Sequence, residues 1–130
     1  MKYQEFIDAH GITATSVGTA ENPNMAASPL DPKARHYLVS LKFGRRRMRV
    51  PFSMGSAHQN KPTALDVLSC LAMDSSGVGG RTFEDWAPEY GYDTDSRQAE
   101  RTWLTCIKHA KKLKNFLGDE LYASLLECEE

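Results

Sequence analysis

Residues 36–54 read HYLVSLKFGRRRMRVPFSM, and apolar side chains occupy alternate positions on both sides of Gly44. Successive side chains of a β-strand point to opposite faces, so this period of two predicts a β-hairpin that turns near Gly44. One face is expected to supply eight apolar side chains to the core: Tyr37, Val39, Leu41, Phe43, Met48, Val50, Phe52 and Met54. The other face presents three basic side chains to solvent: Lys42, Arg47 and Arg49. Pro51 has no backbone N–H to donate, which indicates an edge strand or a bulge.

Two short elements precede the hairpin. Residues 2–11, KYQEFIDAHG, have the apolar spacing of an amphipathic helix and close with a glycine, which is well suited to end a helix. Residues 12–20, ITATSVGTA, are rich in β-branched side chains and predict a strand, with Gly18 at a bulge or at its end. Residues 21–34 contain three prolines and predict a surface loop, which is a candidate binding surface.

Helical patterns follow the hairpin. Residues 62–74, PTALDVLSCLAMD, predict a helix apolar around much of its girth, with Thr63 and Asp66 in the positions of a capping box. Residues 75–82, SSGVGGRT, are interpreted as a flexible connector that ends this helix, and a small anion-binding nest is the alternative. A short helix capped by Thr82 is then expected to be cut at Pro88.

The longest helix is predicted over residues 96–117, capped by Asp95 or Ser96 and stopped at Gly118. Its apolar seam repeats at intervals of four and three residues: Ala99, Trp103, Cys106, Ala110, Leu113 and Leu117. A last short helix is expected to begin at an Asp119 cap and to end in an acidic tail. Together these elements predict a single α+β domain over residues 1–130, in which a short antiparallel sheet is covered on one face by four or five helices.

Composition excludes several classes of protein. The chain has 130 residues and a net charge of −1, which fits neither a generally basic nucleic-acid binder nor an acidic mimic of DNA. No apolar run reaches the roughly 20 residues that a membrane span needs, and the polar first residues do not resemble a signal peptide. Its three cysteines, Cys70, Cys106 and Cys128, are far apart and form no CxxC pair. We therefore expect a cytoplasmic protein with free thiols and no membrane partner.

Charge is nevertheless blocked along the chain. Residues 35–62 carry seven basic and no acidic side chains, whereas residues 81–95 carry one basic and five acidic side chains. Residues 96–117 are again basic, with six against one, and the last thirteen residues carry five acidic side chains and no basic one. Such segregation indicates a dipolar surface.

Two basic clusters are the leading candidates for a binding surface. The first is displayed by the hairpin: Arg45, Arg46, Arg47 and Arg49. Arginine forks suit phosphate or carboxylate groups, and the alternative is that they only solvate an exposed turn and protect a sheet edge. The second lies on the polar face of the longest helix, where a solvated surface is the alternative: Lys108, Lys111, Lys112 and Lys114. The sequence does not show whether the two clusters share one face.

An acidic group is a secondary candidate: Glu84, Asp85, Glu89 and Asp93. Asp93 and Asp95 have the spacing of the first two ligands of a calcium loop, but the glycine and the glutamate that such a loop requires are missing, so helix capping by Asp95 explains them better. Three nearby aromatic residues suit either the core or an interface, which leaves a homodimer open: Trp86, Tyr90 and Tyr92.

Metal and nucleophilic sites have weak support. Cys106 and His109 are three residues apart on one helix, but neither Cys70 nor His58 completes a convincing ligand set. No third residue would orient a cysteine nucleophile. We therefore expect Cys106 to be a buried structural thiol, and we predict no metal and no cofactor.

Three blocks of sequence together resemble a family of small proteins encoded by bacteriophages and prophages. They are MRVPFSMGSAH, PTALDVLSCLAMDSSG and TFEDWAPEYGYDTDSRQAERTWLTCIKHAKKLKNFLG, and the resemblance covers roughly residues 35–120. It implies a phage accessory protein, a class that includes anti-CRISPR proteins and other inhibitors of host defence that bind and occlude their targets.

The resulting hypothesis is a non-enzymatic protein in the host cytoplasm that binds a host protein or ribonucleoprotein complex, with a CRISPR effector favoured. The alternative is a phage nucleic-acid-binding regulatory protein that uses the arginine-rich hairpin. An enzyme with a cysteine or carboxylate site is a third hypothesis.

Overall fold

The computed structural model describes residues 1–20, 33–55, 57 and 60–130, and these form one three-stranded antiparallel sheet and five helices. The α+β fold class is thereby confirmed. In chain order the elements are α1 (Tyr3–His10), β1 (Thr13–Thr19), β2 (Arg35–Phe43), β3 (Arg46–Met54), α2 (Ala64–Val78), α3 (Phe83–Glu89), α4 (Arg97–Leu117) and α5 (Asp119–Leu126). Most of the predicted loop, residues 21–32, and His58 lie outside the described residues. No helix within the described ranges is both long and apolar enough to cross a membrane.

The hairpin lies where the alternation predicts it. Phe43 pairs with Arg46 across a two-residue turn, and Gly44 in that turn has φ of 60°, a conformation that glycine adopts without strain. The strand order β1-β2-β3 leaves β3 at an edge, which agrees with the presence of Pro51. The register of β1 against β2 shifts between Ser16 and Gly18, so the predicted bulge is also confirmed.

The core is built on one face of the sheet. Val39, Leu41 and Val50 are fully buried in adjacent strands, because their alternation points all three toward the helices. Tyr37 and Phe43 at the ends of β2 are only partly buried, but they pack against the same cluster. Residues from α1, α2, α4 and α5 complete it, including Phe6, Leu68, Leu71, Leu113 and Leu125.

A second apolar cluster lies where α3 and α4 meet the end of α2. Trp86 and Ala87 of α3 are buried against Val78 and Cys106, and partly buried aromatic rings surround them. The predicted seam of α4 is mostly correct, although Trp103 and Ala110 are only partly buried. Thr102 and His109 are also buried, which the apolar pattern did not indicate.

Two predictions about helix ends are wrong. Helix α2 does not end before residue 75 but continues to Val78, because Ser75, Gly77 and Val78 are buried against the rest of the molecule. Residues 75–78 are therefore helical, which excludes for them the connector and the anion nest that were predicted over residues 75–82. Helix α4 is capped by the Ser96 hydroxyl, which accepts the Ala99 N–H at 3.2 Å, so of the two predicted caps Ser96 is confirmed and Asp95 is wrong.

The second wrong prediction is the N-cap residue of α5. Its N-cap residue is Gly118, which makes no side-chain hydrogen bond, so Asp119 is the first helical residue and not the cap. The capping box of α2 is confirmed: the Thr63 hydroxyl accepts the Asp66 N–H, and the Asp66 carboxylate accepts the Thr63 N–H at 2.9 Å. The start of α2 thus follows from its local sequence.

Candidate functional site

Arg46 connects the hairpin to the end of the longest helix. Its Nη1 donates to the backbone carbonyl of Phe116 at 3.3 Å, and a Cβ at Gly118 would lie 3.6 Å from the same nitrogen. The last carbonyls of a helix lack intrahelical partners and carry partial negative charge, so a guanidinium is favourable there. Arg46 is therefore a structural contact between β3 and α4 as well as a surface cation.

A groove about 640 Å³ in volume lies between β3 and the C-terminal part of α4. We call it the basic groove, and its lining residues are Arg46, Arg47, Met48, Arg49, Lys112, Asn115 and Phe116. The two basic clusters predicted separately from the sequence thus meet in one concave surface. Arginine comes from a strand and lysine from a helix, so both are held on regular elements.

The other predicted basic residues lie beside the groove and do not line it. Arg45 is exposed in the hairpin turn. Lys108 and Lys111 are exposed on α4, one turn before Lys112 and Asn115, and residues four apart share a helix face. They extend the positive surface along α4.

No carboxylate within the described part of the chain neutralises the groove. Among the described residues the ion pairs are Arg81 with Glu89, at 2.8 Å, and Lys114 with Asp119, at 4.0 Å. Arg47, Arg49 and Lys112 take part in neither. Their side chains are therefore available to phosphate or carboxylate groups of a partner.

Replacing Arg46 with alanine is expected to lower the free energy of unfolding by about 1 to 2 kcal/mol, since it removes a charge-assisted hydrogen bond to a helix end. Arg45→Ala is the matched control, because Arg45 is exposed in the turn. Its effect is expected to stay within about 0.5 kcal/mol. Urea denaturation of both variants measures the difference, and equal midpoints would contradict the structural role of Arg46.

The acidic candidates lie on α3 and in the loop before α4. Asp85 is engaged in the cap of α3, where the Thr82 hydroxyl donates to its carboxylate at 3.1 Å, and Glu89 pairs with Arg81. Glu84 and Asp93 are exposed. The basic groove lies toward the other end of α4, roughly 25 Å further along at about 1.5 Å per residue. The acidic candidates and the basic groove therefore lie toward opposite ends of α4.

A second concavity of about 620 Å³ lies beside α2 and α3. We call it the aromatic cleft, and its lining residues are Tyr3, Met73, Asp74, Ser76, Gly77, Arg81, Trp86, Tyr90, Tyr92 and Cys106. It shares no residue with the basic groove. Sequence reasoning missed it because the end of α2 was interpreted as a connector. The one signal was Asp74, an acidic residue in a helix that is otherwise apolar around much of its girth.

Trp86 organises the aromatic side of the cleft. Its ring centroid lies 5.5 Å from that of Tyr92, with the planes 15° apart, and 5.3 Å from that of Tyr90. Trp86 is buried, Tyr92 is partly buried and Tyr90 is half exposed. The Tyr90 hydroxyl occupies the space above Gly77, where a Cβ would come within 2.5 Å of it. The three aromatic residues thus serve the core and a surface at once.

Asp74 is the unusual charged group of the cleft. Burial raises the pKa of its carboxyl to about 6, and no hydrogen-bond or ion-pair partner for it is found among the described residues. Burial, with the Asp74 charge second, also raises the pKa of the Cys70 thiol to about 11 and that of Cys106 to about 12. Both thiols are neutral at pH 7 and are poor nucleophiles.

His109 is a buried histidine of α4. Burial, together with the charges of Lys112 and Lys108, lowers the pKa of its imidazole to about 4. The described residues contain no group of three or more side chains that could hold a metal ion. Cys106 is buried in the α3–α4 cluster, so its predicted burial is confirmed.

No known protein-family model, curated protein or solved structure matches this chain. The resemblance to phage-encoded proteins therefore stays a prediction.

Proposed function

We propose that this chain is a non-enzymatic binding protein that inhibits a host defence complex, with a CRISPR effector ribonucleoprotein as the leading candidate. The observation that carries the proposal is the meeting of both basic clusters in the basic groove. The resemblance to phage proteins supplies the host-defence part of the proposal, which fold alone would not.

The form of the groove favours a specific partner over general affinity for polyanions. A chain with a net charge of −1 gains little from non-specific attraction to nucleic acid. Arg47 and Arg49 project from a paired strand, and Lys112 projects from a helix that Arg46 ties to that strand. Side chains held in this way lose less conformational entropy on binding than those of a flexible tail.

The chemistry of the groove is that of binding. Arginine and lysine contribute fixed positive charge and hydrogen-bond donors, and Asn115 adds a neutral donor and acceptor. Phe116 and Met48 supply apolar surface beneath them. A guanidinium fork on an apolar floor is a common composition for the energetic centre of a protein interface.

Direct binding of nucleic acid is the second candidate. Four cations along one groove, with two more on the adjoining helix face, suit the regular spacing of phosphates on an RNA or DNA strand. This alternative predicts that the isolated protein retards nucleic acid without any host protein.

The test compares capture of a defence complex by three versions of the tagged protein. The groove variant carries Arg47→Ala, Arg49→Ala and Lys112→Ala, and the control variant carries three exposed basic replacements elsewhere: Lys61→Ala, Arg97→Ala and Arg101→Ala. Both lose the same charge. We expect the groove variant to lose about 10 to 100-fold in affinity for the captured complex, and the control to change by less than about threefold.

Three outcomes decide between the candidates. Capture of a CRISPR effector by the unmodified protein, with protection of phage plating on a defended host, supports the leading proposal. Nucleic-acid binding is supported instead if the purified protein retards RNA or DNA. In that case the slope of the logarithm of the binding constant against the logarithm of salt concentration is expected to be smaller by about two to three units in the groove variant. Equal losses in both variants would remove the basic groove as the contact surface.

A further inference from the structure

The aromatic cleft combines a single uncompensated carboxylate with aromatic rings. Asp74 lies on α2, and the rings of Trp86, Tyr90 and Tyr92 come from α3 and the residues after it. The volume of about 620 Å³ is within the range of pockets that hold small organic ligands. These residues play no part in the basic groove, so the two surfaces are independent.

The groups that face Asp74 leave its charge without a partner. Cys70 of the same helix and Cys106 of α4 are neutral thiols at pH 7. Among the described residues that line the cleft the one cation is Arg81, and its guanidinium is engaged by the Glu89 carboxylate at 2.8 Å and by the Gly77 carbonyl at 3.2 Å. A ligand that brings a positive charge to Asp74 would compensate a partly buried anion, which is a large electrostatic gain in a site of low dielectric constant.

The rings select among cations. The face of an aromatic ring carries negative potential and attracts an ammonium group within about 6 Å, most strongly for tryptophan and tyrosine. Tyr90 is half exposed and lines the cleft, and Tyr92, also in the lining, stacks on Trp86. A hydrated metal ion gains little from such rings, whereas an alkylammonium group gains both electrostatic attraction and apolar contact.

We propose that the aromatic cleft binds an organic cation of the alkylammonium class, with Asp74 as the counter-charge and the Tyr90 and Tyr92 rings against the alkyl groups. The ammonium group belongs either to a small amine or to a lysine side chain of a partner, methylated or not. Anions are excluded, because the carboxylate and the ring faces both repel them.

Matched ligands test the charge requirement. Choline and its neutral isostere 3,3-dimethyl-1-butanol have nearly the same shape, and their binding to the full chain is followed through tryptophan fluorescence and calorimetry at constant ionic strength. We expect choline to bind at least tenfold more tightly than the isostere. Equal binding of the two would overturn the proposal.

Matched variants test the residues. Asp74→Asn keeps the size of the side chain and is expected to weaken choline binding at least tenfold, while Asp93→Asn, at an exposed aspartate outside the cleft, leaves it unchanged. Gly77→Ala adds a methyl group where the Tyr90 hydroxyl lies and is expected to displace that ring and weaken binding severalfold. Unchanged affinity in Asp74→Asn would also overturn the proposal.

A third ligand series distinguishes the source of the cation. We compare choline and putrescine with three lysine compounds. These are lysine amide acetylated at its α-nitrogen, the same compound trimethylated at its side-chain nitrogen, and a short peptide that contains trimethyl-lysine. Tighter binding of the peptide assigns the cleft to a lysine of a partner protein, and tighter binding of the free amines assigns it to a small molecule. Failure of all of these ligands to bind would refute the proposal without affecting the role of the basic groove.

Discussion

Replacing Leu41 with alanine is expected to lower the free energy of unfolding by about 3 to 5 kcal/mol. Leu41 is fully buried in β2, the central strand, where it pairs with Ala14 on one side and Met48 on the other. Its removal leaves a cavity that the paired strands cannot close by moving, so the lost contacts add to the lost burial of apolar surface. This is a large part of the roughly 5 to 15 kcal/mol that stabilises an ordinary domain.

Leu104→Ala is the matched control for this experiment, because Leu104 is 56% exposed on α4. The same atoms are removed, and alanine is at least as good a helix former. We expect a change within about 0.5 kcal/mol. Thermal and urea unfolding give both values, and a loss of similar size in the two variants would contradict the placement of the core on this face of the sheet.

Whereas Leu41→Ala lowers the free energy of unfolding, Asp74→Asn is expected to raise it by about 1 to 3 kcal/mol at pH 7.5. Burial raises the pKa of the Asp74 carboxyl to about 6, from 3.8 in an exposed aspartate. At neutral pH the folded protein therefore holds an anion in a site that disfavours it. Asparagine has the same shape and carries no charge, so the penalty disappears.

The dependence on pH makes this prediction specific. The folded protein binds more protons at Asp74 than the unfolded chain does between about pH 4 and pH 6, so the stability contributed by this group falls as pH rises through that window. At pH 4.5 the advantage of Asp74→Asn is expected to be about a third of its value at pH 7.5. A gain that does not vary with pH would show that the carboxylate charge is not its cause.

His109 makes stability depend on pH in the opposite direction, so its contribution has to be separated from that of Asp74. Its pKa is lowered to about 4, so the folded protein resists protonation and loses stability as pH falls below about 6.5. Because His109 is present in both proteins, comparing Asp74→Asn with the unmodified protein at each pH leaves the Asp74 contribution.

Binding sites often contain a carboxylate that lowers the stability of the protein and faces a cleft. Stabilising substitutions at such positions often reduce function, because the strain or charge they remove is used by the ligand. The same variant is therefore expected to gain stability and lose affinity for an ammonium ligand. This joint outcome separates a binding carboxylate from one that is only badly placed.

Much of the fold was predictable from local patterns. The alternation from Tyr37 to Met54 determined the hairpin and its buried face, and the capping box at Thr63 determined where α2 begins. Each of these depends on residues close together in the chain, whose backbone geometry limits where side chains can point. Helix ends that depend on distant packing were predicted wrongly, as at Val78, where burial against α3 overrides the helix-ending tendency of glycine.

The candidate sites divide in the same way. The sequence by itself determined that arginines of the hairpin and lysines of α4 lie on exposed faces, because both follow from the period of the element that carries them. Only the tertiary structure decided that Arg47 and Lys112 share one groove, that Arg46 is bound to the end of α4 and that Asp74 faces an aromatic cleft. These relations join residues far apart in the chain, and side-chain periodicity describes one element at a time but not how two elements pack against each other.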